Sequence, residues 1–93
     1  KARGAGMMLQ VGCQVGESSL LSAAQLALMT EVVGIRYLEG CFGTHLLEKD
    51  PVSPMLQFGH GGMPPPVPRG DGLGVTMDHE YLMQCTTCCD EVA

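Results

Sequence analysis

Apolar residues come in short blocks along this chain, and the blocks differ in length. Met7-Met8-Leu9-Gln10-Val11 is an apolar run of strand length rather than helix length. From Val11 the chain passes through Gly12-Cys13-Gln14-Val15-Gly16-Glu17-Ser18. This reads as a glycine-bearing turn with polar groups where strand gives way to helix. Ser19–Thr30 then reads as a helix. Ser18, Ser22 and Gln25 form a narrow polar stripe on it, and leucine, alanine and methionine fill the rest. Such a helix needs cover over most of its circumference. Ser18 or Ser19 is a good N-cap, since its hydroxyl can accept from backbone N–H groups that the first turn leaves free. Ile35-Arg36-Tyr37-Leu38 is a second short strand, ending at Glu39-Gly40. Strand, helix and strand with short connections make one βαβ unit, so the two strands should be parallel.

The remaining pattern is weaker. Lys1–Gly6 reads as the tail of a helix ended by its glycines. His45–Lys49 reads as a helical turn stopped by Asp50-Pro51. Met55–Phe58 has the length of a short strand. Gly59–Gly74 is dense in glycine and proline and reads as an extended loop, with polyproline II character around Pro64–Pro68. Asp78 is a plausible N-cap for a helix over His79–Cys85, with Glu80 in its first turn. Thr86–Ala93 reads as a loose tail.

Composition narrows the function. Ninety-three residues allow one small domain. The net charge is −5 with five Lys and Arg, which argues against nucleic acid and against an anionic membrane surface. No apolar run approaches the roughly 18 residues of a membrane span, and the N-terminus lacks the plan of a signal peptide. The five cysteines are an odd number, three of them bunched at Cys85, Cys88 and Cys89. That favours a reducing, cytoplasmic compartment over a secreted disulfide scaffold.

The order Gly12-Cys13-Gln14-Val15-Gly16-Glu17-Ser18, then Leu20 and Ala23-Ala24, resembles the enolase superfamily, in its mandelate racemase and muconate-lactonizing branch. The likeness is to the seventh barrel strand and the alanine-rich helix after it. Ile35–Gly40 resembles the eighth strand. Gly72-Leu73-Gly74-Val75, with Asp78 after it, resembles a signature near the family's C-terminus. The resemblance implies an α/β fold: the C-terminal portion of a modified TIM barrel, (β/α)7β, over residues 1–40. Residues 41–93 would be an irregular return segment to the α+β capping domain. It implies a parent isomerase or lyase that binds Mg²⁺ and removes a proton next to a carboxylate. The metal carboxylates and catalytic lysines of that family have no counterparts here. The chain has only Lys1 and Lys49, and Lys1-Ala2-Arg3 lies in the wrong register for the family's lysine pair. The chain alone is therefore expected to be inactive and to bind no Mg²⁺. Its partners would be the rest of the barrel or further copies, and, in the parent, a small carboxylate substrate.

Each candidate residue has two readings. Cys13 and Gln14 end the first strand; they touch substrate, or Cys13 is simply a small buried residue. Glu39 ends the second strand, and by resemblance faces an amino group or hydroxyl of the substrate; otherwise it is an exposed loop acid. Tyr37 lies two residues earlier, on the same strand face. Glu17 and Ser18 orient the loop or cap the helix. Cys85-Thr86-Thr87-Cys88 has a metal or redox spacing but no second pair, so a reduced tail is favoured. His45 and His60 have no spaced partners. Pro65-Pro66-Val67-Pro68 matches a proline-ligand pattern, though a turn is the plainer reading. The rival to the enzyme fragment is a non-catalytic remnant or interaction module. A small cysteine-rich metal binder is a weaker third.

Overall fold

The computed structural model describes residues 1–91. A single 3₁₀ turn at Arg3–Ala5 leads into strand β1, Leu9–Val11. The strand is shorter than the apolar run because Met7 and Met8 leave the ladder and stand exposed. Helix α1 runs Ser19–Glu31 and returns the chain to β2, Ile35–Leu38. The two strands are parallel, with Leu9 opposite Ile35, Gln10 opposite Tyr37 and Val11 opposite Leu38. The pairing runs one residue further, where the Glu39 N–H donates to the Val11 carbonyl at 3.1 Å.

Helix α1 turns its polar stripe inward. Ser19, Ser22, Ala23, Gln25 and Leu26 are its buried residues, while Leu21 and Leu28 are 49% and 46% exposed. For Ser19 the physical reason lies in the loops, and Gln25 donates to Glu17, while Ser22 Oγ is buried without a partner among the described residues. Ser19 donates to Asp50 Oδ2 through its N–H at 2.9 Å and its hydroxyl at 2.6 Å, and Ser19 Oγ accepts from the Leu56 N–H at 2.8 Å. The expected cap is therefore displaced. Ser18 occupies the N-cap position without a side-chain bond, and the carboxylate at the helix start comes from Asp50. A negative group there also meets the positive end of the helix dipole. The cover expected around the rest of the helix is not supplied by the described residues.

After β2 the chain makes a short helix, α2, Gly43–Leu46, starting two residues before the helical turn that the sequence suggests at His45–Lys49. Gly43 is required there. A Cβ on it would overlap the Glu17 carbonyl oxygen, which also receives the Cys41 thiol at 3.4 Å. Strand β3, Val52–Ser53, pairs antiparallel with β4, Thr76–Met77. Met55–Phe58 forms no ladder. It is instead a segment of alternating burial that sends Leu56 and Phe58 into the core and leaves Met55 and Gln57 outside. Helix α3, His79–Cys85, follows β4. Asp78 caps it by accepting from the Tyr81 N–H at 2.9 Å.

The core is small: Ala23, Leu26, Cys41, Leu56 and Phe58, flanked by Met29, Leu38, Leu73 and Val75. Cys41, isolated in the sequence, is a core residue. The result, among the described residues, is a small mixed α/β fold with three α-helices and two two-stranded sheets, one of them parallel. Among the described residues the strands close no barrel, and no helix is long and apolar enough to cross a membrane.

Candidate functional site

The C-terminal ends of the two parallel strands gather polar groups around Glu39. Its Oε1 accepts from Gln10 Nε2 at 2.6 Å, and its Oε2 accepts from the Cys13 N–H at 3.0 Å. Both bonds come from β1 or the turn after it, so pairing of β1 with β2 aims the carboxylate. No Lys or Arg lies within salt-bridge distance of it; the ion pair among the described residues is Lys49 with Asp78. Glu39 is thus a positioned carboxylate with neutral donors only.

Glu17 performs a parallel task one layer away. Its Oε1 accepts from the Gln14 N–H at 2.6 Å, and its Oε2 accepts from Gln25 Nε2 at 3.0 Å. These bonds tie the turn after β1 to α1. Cys13 is half-buried, and its thiol pKa is raised, first by burial and then by Glu39, Glu17 and Cys41. A thiol shifted upward stays protonated at neutral pH, which makes Cys13 a poor nucleophile.

A cavity of about 510 Å³ opens beside Glu39, with Cys41, Phe42, His45, Phe58 and His60 among its walls. Such a volume suits a small organic molecule. The Gln57 amide donates to His45 Nε2 at 3.2 Å when that nitrogen carries no proton. The rings of Phe42 and His45 are 6.5 Å apart. From the sequence both histidines read as structural or exposed, and both are exposed, though they line this cavity. One comes from α2 and the other from the glycine-rich loop, and no spacing joins them.

Tyr37 is not part of this cavity. It lines a separate hollow of about 370 Å³ with Met29, Val32 and Arg36, and the Arg36 guanidinium lies 6.0 Å from its ring. Its partner across the ladder is Gln10. Gln14 and Ser18 do not line the cavity beside Glu39 either, and Ser18 borders a separate groove. The Gln14 backbone serves Glu17, and the Ser18 carbonyl accepts from Leu21 and Ser22.

The other motifs take plainer roles. Cys85, Cys88 and Cys89 are exposed free thiols. Among the described residues no three His, Cys, Asp or Glu side chains converge to hold a metal ion. In the proline segment it is Pro65 and Pro68 that are half-buried, with Pro64, Pro66 and Val67 exposed. Residues three apart share a face of a polyproline II helix, so the face a proline-reading groove would contact is turned toward the protein. Pro68 packs on Gly74, whose φ of +70° admits no ordinary side chain.

Fold and site together define a small α/β chain with a carboxylate-walled cavity at its parallel strand ends. No protein-family model, curated protein or solved structure matches this chain.

Proposed function

We propose that this chain is the C-terminal part of a barrel enzyme of the enolase-superfamily kind, the racemase and lactonizing branch. The observation that carries the reading is the Glu39 carboxylate, held by Gln10 and Cys13 across the ends of two parallel strands joined by a helix. Barrel enzymes mount their chemistry at that end of their strands. In this reading residues 1–40 finish the barrel and residues 41–93 return toward a cap. The cavity beside Glu39 receives a small carboxylate substrate, whose amino or hydroxyl group Glu39 accepts.

The parent's Mg²⁺ would polarise that substrate and stabilise the charge that develops on proton removal. The described residues do not fit the ion, because no three ligating side chains converge. Lys49 is bound to Asp78 at 2.9 Å. In this reading metal ligands and base belong to another part of the parent, and this chain contributes a substrate-facing wall. A reducing, cytoplasmic compartment belongs to the same proposal, and the odd cysteine count of the sequence supports it.

A second reading, a non-catalytic interaction module, draws on the exposed apolar residues. Val15, Val33 and Met8 are 91%, 72% and 73% exposed. Intact and native mass measurement on the natural source separates the two. A longer or tightly bound polypeptide supports the enzyme reading, and Mg²⁺-dependent proton exchange on carboxylate substrates then tests it. A species of 9.8 kDa that is stably folded by itself supports the module.

A further inference from the structure

Helix α3 is attached to the molecule in an unusual way. None of its residues is buried. Its attachment is concentrated at Asp78, the residue between β4 and the helix. The Asp78 N–H donates to the Pro51 carbonyl at 2.7 Å, its Oδ1 caps the helix at Tyr81, and its Oδ2 accepts from Lys49 Nζ at 2.9 Å. Lys49 also stands 4.3 Å from the centre of the Tyr81 ring. Beyond these contacts lies a groove of about 490 Å³. Val15, Leu21 and Leu47 line it from the body, and Tyr81, Leu82 and Cys85 from α3. The two apolar walls stand apart, with Leu21 49% and Leu82 40% exposed. Apolar surfaces that face each other across open space gain by closing, and a segment without buried contacts opens at little cost.

We infer that α3 is a hinged flap over this groove, pivoting at Asp78 and latched by Lys49, and that it moves without unfolding the body. The latch is polar and solvent-exposed, so it is weak and reversible. While latched, the helix is held in form by the Asp78 cap and by Thr86, whose hydroxyl donates to the Leu82 carbonyl at 2.7 Å. Once released from the body, a helix of only seven residues is too short to hold its own bonds for long, so its amides then exchange more freely. Its motion controls access to an apolar groove distinct from the cavity beside Glu39, and the inference does not depend on the enzyme reading.

Hydrogen exchange on the full chain, in whatever assembly it forms, tests this. Lys49→Met removes the latch while leaving the Asp78 cap in place. The amides of Leu82–Cys85 should then exchange about threefold to tenfold faster, with α1 unchanged. Salt at about 1 M, where screening is nearly complete, should speed the same amides in the wild type and have no further effect in the variant. Three results would overturn the inference: α3 exchange unaltered by Lys49→Met, α3 and α1 changing together, or no protection of α1 in the wild type.

Discussion

Residues 19–58 and residues 59–91 are held by different means. Every buried residue lies in the first stretch, and none lies in the second. The first closes around Leu26, Leu56 and Phe58, with Ser19 and Asp50 joining helix to loop. The second contributes only the half-buried Leu73 and Val75 to that cluster. It keeps its path through glycine turns, the two-residue β4 ladder and the Asp78 latch. Apolar burial grows with every contact and makes a region respond as a unit. Turns and surface bonds fix geometry locally and yield one at a time. The difference therefore predicts two stabilities in one short chain.

The largest effect should come from Gly43→Ala. The new Cβ overlaps the Glu17 carbonyl, which is backbone and cannot swing aside. We expect a loss of about 4 kcal/mol or more, read as disappearance of α1 amide protection and of any urea transition. Near-wild-type stability would show that the packing of α2 on the β1–α1 turn is not essential.

Gly74→Ala should break the second region and spare the first. Its φ is +70°, and a Cβ would lie 2.8 Å from Pro68 atoms. The expected cost is about 1–3 kcal/mol. Exchange should rise in 59–91, while the α1 amides hold. Equal loss in both regions would merge them into one unit.

The smallest effect concerns pH. Asp78 has a lowered pKa, chiefly through its bond with Lys49, and Lys49 has a raised pKa, chiefly through the same bond. A lowered carboxylate pKa gives a contribution that is complete above the ordinary value of about 3.9 and is lost as pH falls through the depressed one. A raised lysine pKa gives one that is complete below about 10.4 and is lost as pH rises through the elevated one. The Tyr81 ring resonances should hold steady between about pH 5 and pH 9 and move outside that window. In Lys49→Met the alkaline movement due to the lysine should vanish.

The βαβ unit was legible because short apolar runs and a small-residue helix carry their own periodicity. What escaped was the orientation of α1. The stripe of Ser18, Ser22 and Gln25 would normally face water. Ser22 and Gln25 are buried instead, beside Ser19, to which Asp50 and Leu56 supply partners from far along the chain. Ser22 Oγ and Gln25 Oε1 have none among the described residues. Asp50-Pro51 did signal a break, but nothing in the spacing told that the same aspartate would serve the start of α1. Glu39 was found as a candidate because it ends a strand. Tyr37, chosen for sharing its strand face, went to another hollow, where the ladder irregularity between Leu9 and Gln10 interrupts simple alternation. His45 and His60 were invisible as a pair, since loop geometry alone brings them to one wall.

Taken whole, the molecule has more surface than its mass warrants. The accessible area is 7050 Å², against about 5200 Å² for a compact monomer of 9.8 kDa. The radius of gyration is 14.9 Å, against about 12 Å. The excess exceeds what one partner buries in a standard interface, about 800 Å². In the proposed reading, association with the rest of a barrel or with further copies covers this surface. Sedimentation velocity on the purified chain, followed by a thermal scan of the same sample, tests it most directly. The account predicts assemblies heavier than 9.8 kDa, and no cooperative transition from any monomer present. A homogeneous monomer of 9.8 kDa that melts cooperatively would contradict it.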